Sequence, residues 1–164
     1  MDESYPMSRA GFAKLKAQAE QMESVDMPAI AEKIGAARAE GDLSENAEYH
    51  AQREAQGLLQ AKINLIKTKL AKAQIIDTEN LPRDQVCFGA TVVVKDVDLG
   101  DEEEYTLVGS GEEDYNQGRI LVTSPLGQGL LGKKIGETAK IPAPKGSYEL
   151  EIVAISYEYL EGSV

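Results

Sequence analysis

The stretch GDLSENAEY, residues 41–49, separates two helical patterns and packs three acids, a serine, an asparagine and a tyrosine into nine positions. Before it, Ser8 can cap a helix whose apolar positions run Phe12, Leu15, Ala19 and Met22, a 3,4 alternation that makes one stripe. Pro28 interrupts the stripe, which resumes one position out of phase at Ile30, Ile34 and Ala37, so a kink or loop near Asp26–Pro28 is expected. After the stretch, Ala55, Leu59, Ile63, Ile66, Leu70 and Ala73 form a second stripe with the same spacing. Two helices separated only by about Gly41–Leu43 must fold back on each other as an antiparallel hairpin.

The hairpin is long. The 35 residues from Asp42 to Asp77 give an arm of roughly 50 Å at the helical rise per residue. The rest of the chain is too small to bury such an arm on all sides, so its far end is expected to project. Extending the second stripe towards that end reaches Gln52 and Glu48, and the seam becomes polar near the tip.

Beyond Pro82 the composition shifts from Ala, Glu, Lys, Gln and Leu to Val, Ile, Thr, Tyr and Gly. Strands are expected at Ala90–Val97, Glu104–Val108, Arg119–Ser124, Thr138–Ile141 and Ser147–Tyr157, with the turn residues of DLGDEEE joining the first two. Within SPLGQGLLGKK, Pro125 can start a short helix that packs Leu126, Leu130 and Leu131 on the sheet. The fold class is therefore α+β. Residues 1–79 form an antiparallel two-helix coiled coil with an acidic tip, and residues 80–164 a mainly antiparallel β domain with one short helix.

Acids outnumber bases 28 to 17, for a formal charge of -11, with -3 on residues 1–79 and -8 on residues 80–164. That balance excludes wrapping of duplex DNA through many phosphate contacts and favours a basic protein surface as partner. Cys87 is the one cysteine, so no internal disulfide or cysteine-built zinc site is possible. The start Met1-Asp2-Glu3-Ser4 is acidic with no apolar run after it, and no segment approaches a membrane span, so a cytoplasmic location is expected.

Two readings of the tip stand side by side. In the first, Asp42 caps the second helix with Glu45 reaching back, a relative of the capping box, and both acids favour the helix's positive end. In the second, four acids, Glu40, Asp42, Glu45 and Glu48, crowd an exposed end, and a cation between them relieves their repulsion. One or two carboxylates make a weak Mg²⁺ site unless a partner supplies the other ligands, so the tip looks like half of a metal site. Arg38 and Arg53 flank it on opposite helices, as solvated charges or as guides for a phosphate backbone. Lys62, Lys67, Lys69 and Lys72 read as a solvated helix face, and His50 as a surface or interhelical residue. No phosphate loop or nucleophile elbow is present.

AARAEGDLSENAEYHAQRE, residues 36–54, is similar to the hairpin tip of the bacterial Gre transcript cleavage factors. FGATVVV at 88–94 and SPLGQGLLGKKIGE at 124–137 resemble their C-terminal domain, and Leu43 with Tyr49-His50 looks more like the GreA branch than the GreB branch. The resemblance implies a C-terminal domain of FKBP-like fold that docks on RNA polymerase at the rim of its secondary channel. It implies an elongation factor, expected as a monomer, that has no active site alone and stimulates the polymerase's own cleavage of backtracked RNA. By matching position, Asp42 and Glu45 would be the catalytic acids that help hold an Mg²⁺ shared with the polymerase. Ser44 and Asn46 would support the tip, and Arg38 and Arg53 would contact the nascent RNA 3′ end. Ser124, Pro125, Leu126 and Gly127 would touch the polymerase rim. A proline pocket in such a domain would have to be built from tyrosines, so isomerase activity is not expected.

Overall fold

The computed structural model describes residues 4–42 and 46–161. The chain divides into two compact units, Ala13–Lys72 and a second made of Ser4–Phe12 with the chain from Ala73 onward. The first nine described residues therefore group with the β unit, although composition alone assigns them to the helical segment. Their attachment is a parallel pairing of β1 (Tyr5–Met7) with β2 (Ala73–Ile75), in which Met7 is completely buried.

The helical unit begins inside α1 (Arg9–Gln21), passes through one π-helical turn (Met22–Asp26) and continues as α2 (Met27–Arg38). The expected kink or loop at Asp26–Pro28 is this π turn, and the helix does not break. Pro28 has no N–H to give Ser24, and the Met27 N–H reaches back to the carbonyl of Met22, five residues earlier. The turn absorbs one extra residue, which brings Ile34 and Ala37 back onto the face of Leu15 and Ala19; all four are buried. α3 (Ala47–Ala71) carries the second stripe, with Ile63 and Ile66 buried. Its 25 residues span roughly 38 Å, shorter than the sequence suggests because Ala73, counted in the stripe, already belongs to β2. Lys67 reaches Glu23 of the π turn at 2.8 Å, one of the ties between the antiparallel helices.

The β unit is a five-stranded sheet in the order β5-β4-β3-β7-β6. Its strands are β3 (Thr91–Asp96), β4 (Glu102–Val108), β5 (Arg119–Leu121), β6 (Thr138–Ala143) and β7 (Gly146–Ser156). All neighbours are antiparallel except β4 and β5, which run parallel after a loop containing a 3-10 turn at Tyr115–Gln117. The β3–β4 turn closes as expected, with Asp96 Oδ1 accepting from the amides of Asp98 and Leu99. A bulge in β7 opposite Val93 and Val94 leaves Val153 without a partner in the register. Before the bulge Leu150 and Ile152 face the core; after it Tyr157 does, an odd position replacing even ones. α4 (Pro125–Leu130) buries Leu130 against this core, while Leu131, expected to pack, is 40% exposed. A last helical turn, α5 (Glu158–Glu161), lays Leu160 against the chain at Gly89, where a Cβ would come within 2.5 Å of it.

Tyr157 closes the sheet on the segment before β3. Its hydroxyl donates to the Gln85 carbonyl at 2.5 Å and accepts from the Cys87 amide at 3.0 Å. Burial, with the contact to Cys87, pushes the phenol up to about 12, and burial pushes Tyr105 and Tyr159 up as well. A raised phenol favours the neutral folded form, so its contribution is present below pH about 10 and fades as pH climbs towards about 12. Tyr157→Phe leaves both backbone groups without this partner and is expected to cost about 1–3 kcal/mol at pH 7. Chemical denaturation across pH 7–11.5 checks this: the gap between wild type and variant should narrow above pH about 10.

Candidate functional site

The helical tip is built by Asn46. α3 starts at Ala47, so the capping residue is Asn46 and the alternative in which Asp42 caps the helix is replaced. Asn46 Oδ1 accepts from the Tyr49 amide at 3.0 Å, and Asn46 Nδ2 donates to the Ala37 carbonyl of α2 at 2.6 Å. An aspartate can make the first bond but lacks the donor for the second, which is the chemical reason an asparagine holds this position. Ala37 is 2% exposed, so the bond sits at the last buried layer of the seam. Tyr49 makes a second tie: the Arg38 guanidinium lies over its ring, 5.8 Å from the centroid.

Asp42 is exposed in the connection between the helices. Its expected partner Glu45 and the supporting Ser44 lie outside the described residues. Among the described residues no group of three His, Cys, Asp or Glu side chains is placed to hold a metal. The described donor set thus fits a hard divalent cation only as a partial ligand sphere, one carboxylate to which other oxygens must be added. Glu48, in the first turn of α3, is bound by the Gln52 amide at 2.9 Å.

Arg38 and Arg53 are both exposed. Arg53 donates to Gln56 at 3.0 Å and stands one helical turn beyond Tyr49, so the two arginines bracket that tyrosine along the tip surface. Tyr49 as the support for Arg38 is the feature that sequence reasoning missed, and the ring contact of Tyr49 with His50 at 5.5 Å belongs to the same patch. Arg38 and Tyr49 were each visible in the sequence; their contact across the seam was not.

In the β unit, Ser124 caps α4: its Oγ accepts from Gly127 N at 3.1 Å and donates to the Leu121 carbonyl at 2.6 Å. Pro125 is exposed at the first helical position, Leu126 is half-buried and Gly127 is buried. A Cβ on Gly127 would meet the carbonyl oxygens of Leu121 and Val122 at 2.6 and 2.7 Å. Of the four residues expected at a docking rim, Pro125 is the one fully presented, and Ser124 and Gly127 build the turn beneath it. A separate groove of about 340 Å³ has Val94, Leu150, Tyr105 and Tyr148 among its walls, with Asp96 and Glu103 at its edge. Two tyrosines line it, and the Tyr105 hydroxyl is bound to Glu103.

Two family models match the chain: transcription elongation factor, N-terminal, over residues 5–75, and transcription elongation factor, GreA/GreB, C-terminal, over residues 81–157. The transcription elongation factor GreA of Psychrobacter arcticus is 47% identical over 155 residues, covering 94% of this chain and 98% of that protein. The chain belongs to the GreA/GreB family of transcription elongation factors. The GreA of Thermodesulfovibrio yellowstonii is 44% identical over 158 residues, 96% of this chain and 100% of the relative. Among solved structures, the GreA factor homolog 1 of Thermus thermophilus is 21% identical, with a TM-score of 0.45 and coverage of 94% and 99%. No helix among the described residues is long and apolar enough to cross a membrane.

Gly127→Ala tests the turn that Ser124 and Gly127 build. The substitution is expected to destabilise the β unit by about 1–3 kcal/mol, since the added carbon meets backbone rather than a movable side chain. A lowered thermal midpoint with an unchanged far-UV spectrum of the helical unit would be the result.

Proposed function

We propose that this chain stimulates the intrinsic RNA cleavage of a backtracked RNA polymerase and is not an enzyme alone. The observation that carries the reading is the exposed Asp42, at the end of a two-helix arm in a chain of the GreA/GreB family. The β unit docks at the rim of the polymerase secondary channel through the turn that presents Pro125, and the arm delivers its tip to the active centre. The factor acts as a cytoplasmic monomer.

At the tip, Asp42 and Glu45 would hold an Mg²⁺ jointly with polymerase carboxylates, and two carboxylates suffice because the partner supplies the remaining oxygens. Bound there, the cation supplies charge neutralisation at the scissile phosphate and a more acidic water. The chain's own part is placement and charge. Asp42 is solvent-exposed, so a cation can reach its carboxylate from outside. Arg38, seated on Tyr49, and Arg53, one turn further along α3, offer planar donors to the phosphates of the extruded RNA 3′ segment. The solvent-facing position of both guanidiniums suits a ligand that arrives from outside.

A stalled, backtracked elongation complex with Mg²⁺, followed by the length of its RNA 3′ end, tests the reading. Wild type is expected to accelerate cleavage, and Asp42→Asn to lower the rate at saturating factor by about a hundredfold or more while binding the polymerase equally well. Binding without acceleration by wild type would identify a channel-occupying modulator instead. For docking, Pro125→Asn is expected to raise the factor concentration needed for half-maximal cleavage about tenfold with the maximal rate unchanged. Equal affinity of that variant sinks the rim assignment.

A further inference from the structure

We infer that Asn46 is a positioning residue: its side-chain amide clamps the start of α3 to the end of α2, which leads into Asp42, and the clamp, separately from helix capping, sets how well Asp42 acts. The inference rests on the proposed cleavage role of the tip and assigns Asn46 a part within it.

The two ends of the Asn46 side chain do different things. The oxygen accepts from Tyr49 N and fixes the first turn of α3. The nitrogen donates across the hairpin to Ala37 O at 2.6 Å, the shorter of the two bonds, and ties the start of α3 to the end of α2. The Ala37 carbonyl also accepts the Glu40 amide at 3.2 Å in the closing turn of α2, so the clamp uses its second lone pair. Between these points the chain leaves the helix through Glu40 and Gly41, with Gly41 at φ 121, a conformation that side-chain-bearing residues avoid. Asp42 follows at once. One side chain thus ties the helix end that leads into Asp42 to the start of α3, and it is half-buried beside Ala37, shielded from competing water.

The neighbouring seam cannot replace the clamp. Next to the tip the interhelical positions Gln52 and Ala55 are polar or small and half-buried, Leu59 further down is also only half-buried, and the deeply buried apolar contacts of α3 begin at Ile63. Arg38 over Tyr49 adds a second tie, but through a flexible side chain exposed to salt and solvent. A ligand displaced by even about 1 Å can lose on the order of a hundredfold in rate, so a bond that sets where the helix end before Asp42 stands can have a large effect on reaction and little on the fold.

Asn46→Asp separates the two functions. The carboxylate still accepts from Tyr49 N at a helix N-terminus, where a negative charge is favourable, but has no hydrogen for Ala37 O. Asn46→Ala removes both bonds. Two measurements follow. On the free protein, amide hydrogen exchange read by NMR should show Asn46→Asp with Tyr49 protected as in wild type and the amides of Glu40, Gly41 and Asp42 exchanging at least about fivefold faster. On backtracked complexes, Asn46→Asp should lower the maximal cleavage rate about ten- to hundredfold and raise the Mg²⁺ needed for half-maximal rate, with the factor concentration for half-saturation unchanged. Loop exchange unchanged in Asn46→Asp overturns the clamp whatever the activity. Faster exchange with wild-type cleavage and Mg²⁺ dependence overturns its role in positioning. Absence of cleavage stimulation by wild type itself overturns the proposed function and with it the positioning role, while the exchange data still report on the clamp.

Discussion

A helix that loses a donor at a proline must still keep its apolar side chains on one face, and the helical unit depends on how that constraint is met. The π turn at Met22–Asp26 takes up one residue, and the seam continues from Leu15 and Ala19 to Ile34 and Ala37 without a break in the rod. Without that extra residue Ile34 would lie about one residue's rotation, roughly 100°, off the stripe. The last buried side chain of α2, Ala37, would then not stand where its carbonyl can receive Asn46. The position of the tip is thus set some four helical turns away from it.

The β unit meets the same problem in the other periodicity. One bulged residue near Val153 shifts the inward set of β7 from Leu150 and Ile152 to Tyr157, which reaches the backbone of Gln85 and Cys87. One residue inserted in a helix rotates the stripe; one inserted in a strand exchanges its faces. In both units the core is kept continuous by a local departure from the ideal repeat. The Ser124–Gly127 turn is made differently, by a capping serine and a glycine that backbone oxygens crowd, so that Pro125 is exposed above them.

Much of this was legible in the residues. The 3,4 spacing of Leu59, Ile63 and Ile66 implied the second helix, the alternating Val92 and Val94 the central strand, and Pro125 the start of α4. The phase slip at Pro28 was visible too, but a stripe that slips is compatible with a loop, a kink or a π turn, and only the hydrogen bond from Met27 to Met22 distinguishes them. The pairing of Tyr5–Met7 with Ala73–Ile75 left no sequence signal, because three-residue strands are too short for periodicity and their partners lie far apart in the chain. The parallel β4–β5 pair escaped for a related reason: alternation shows which face is buried and is silent on strand direction.

The sequence by itself determined the two-part division of chemistry, the helical hairpin, the acids and arginines at its tip and the serine-proline turn, because each follows from spacing or side-chain type within a few residues. Only the tertiary structure decided what those residues are bonded to. Asp42 and Asn46 both have the composition of a helix cap, and local preference cannot choose between them. The choice falls to Asn46 because one side chain there reaches the helix it starts and a carbonyl of the helix before it, an arrangement that exists only once the two helices lie together.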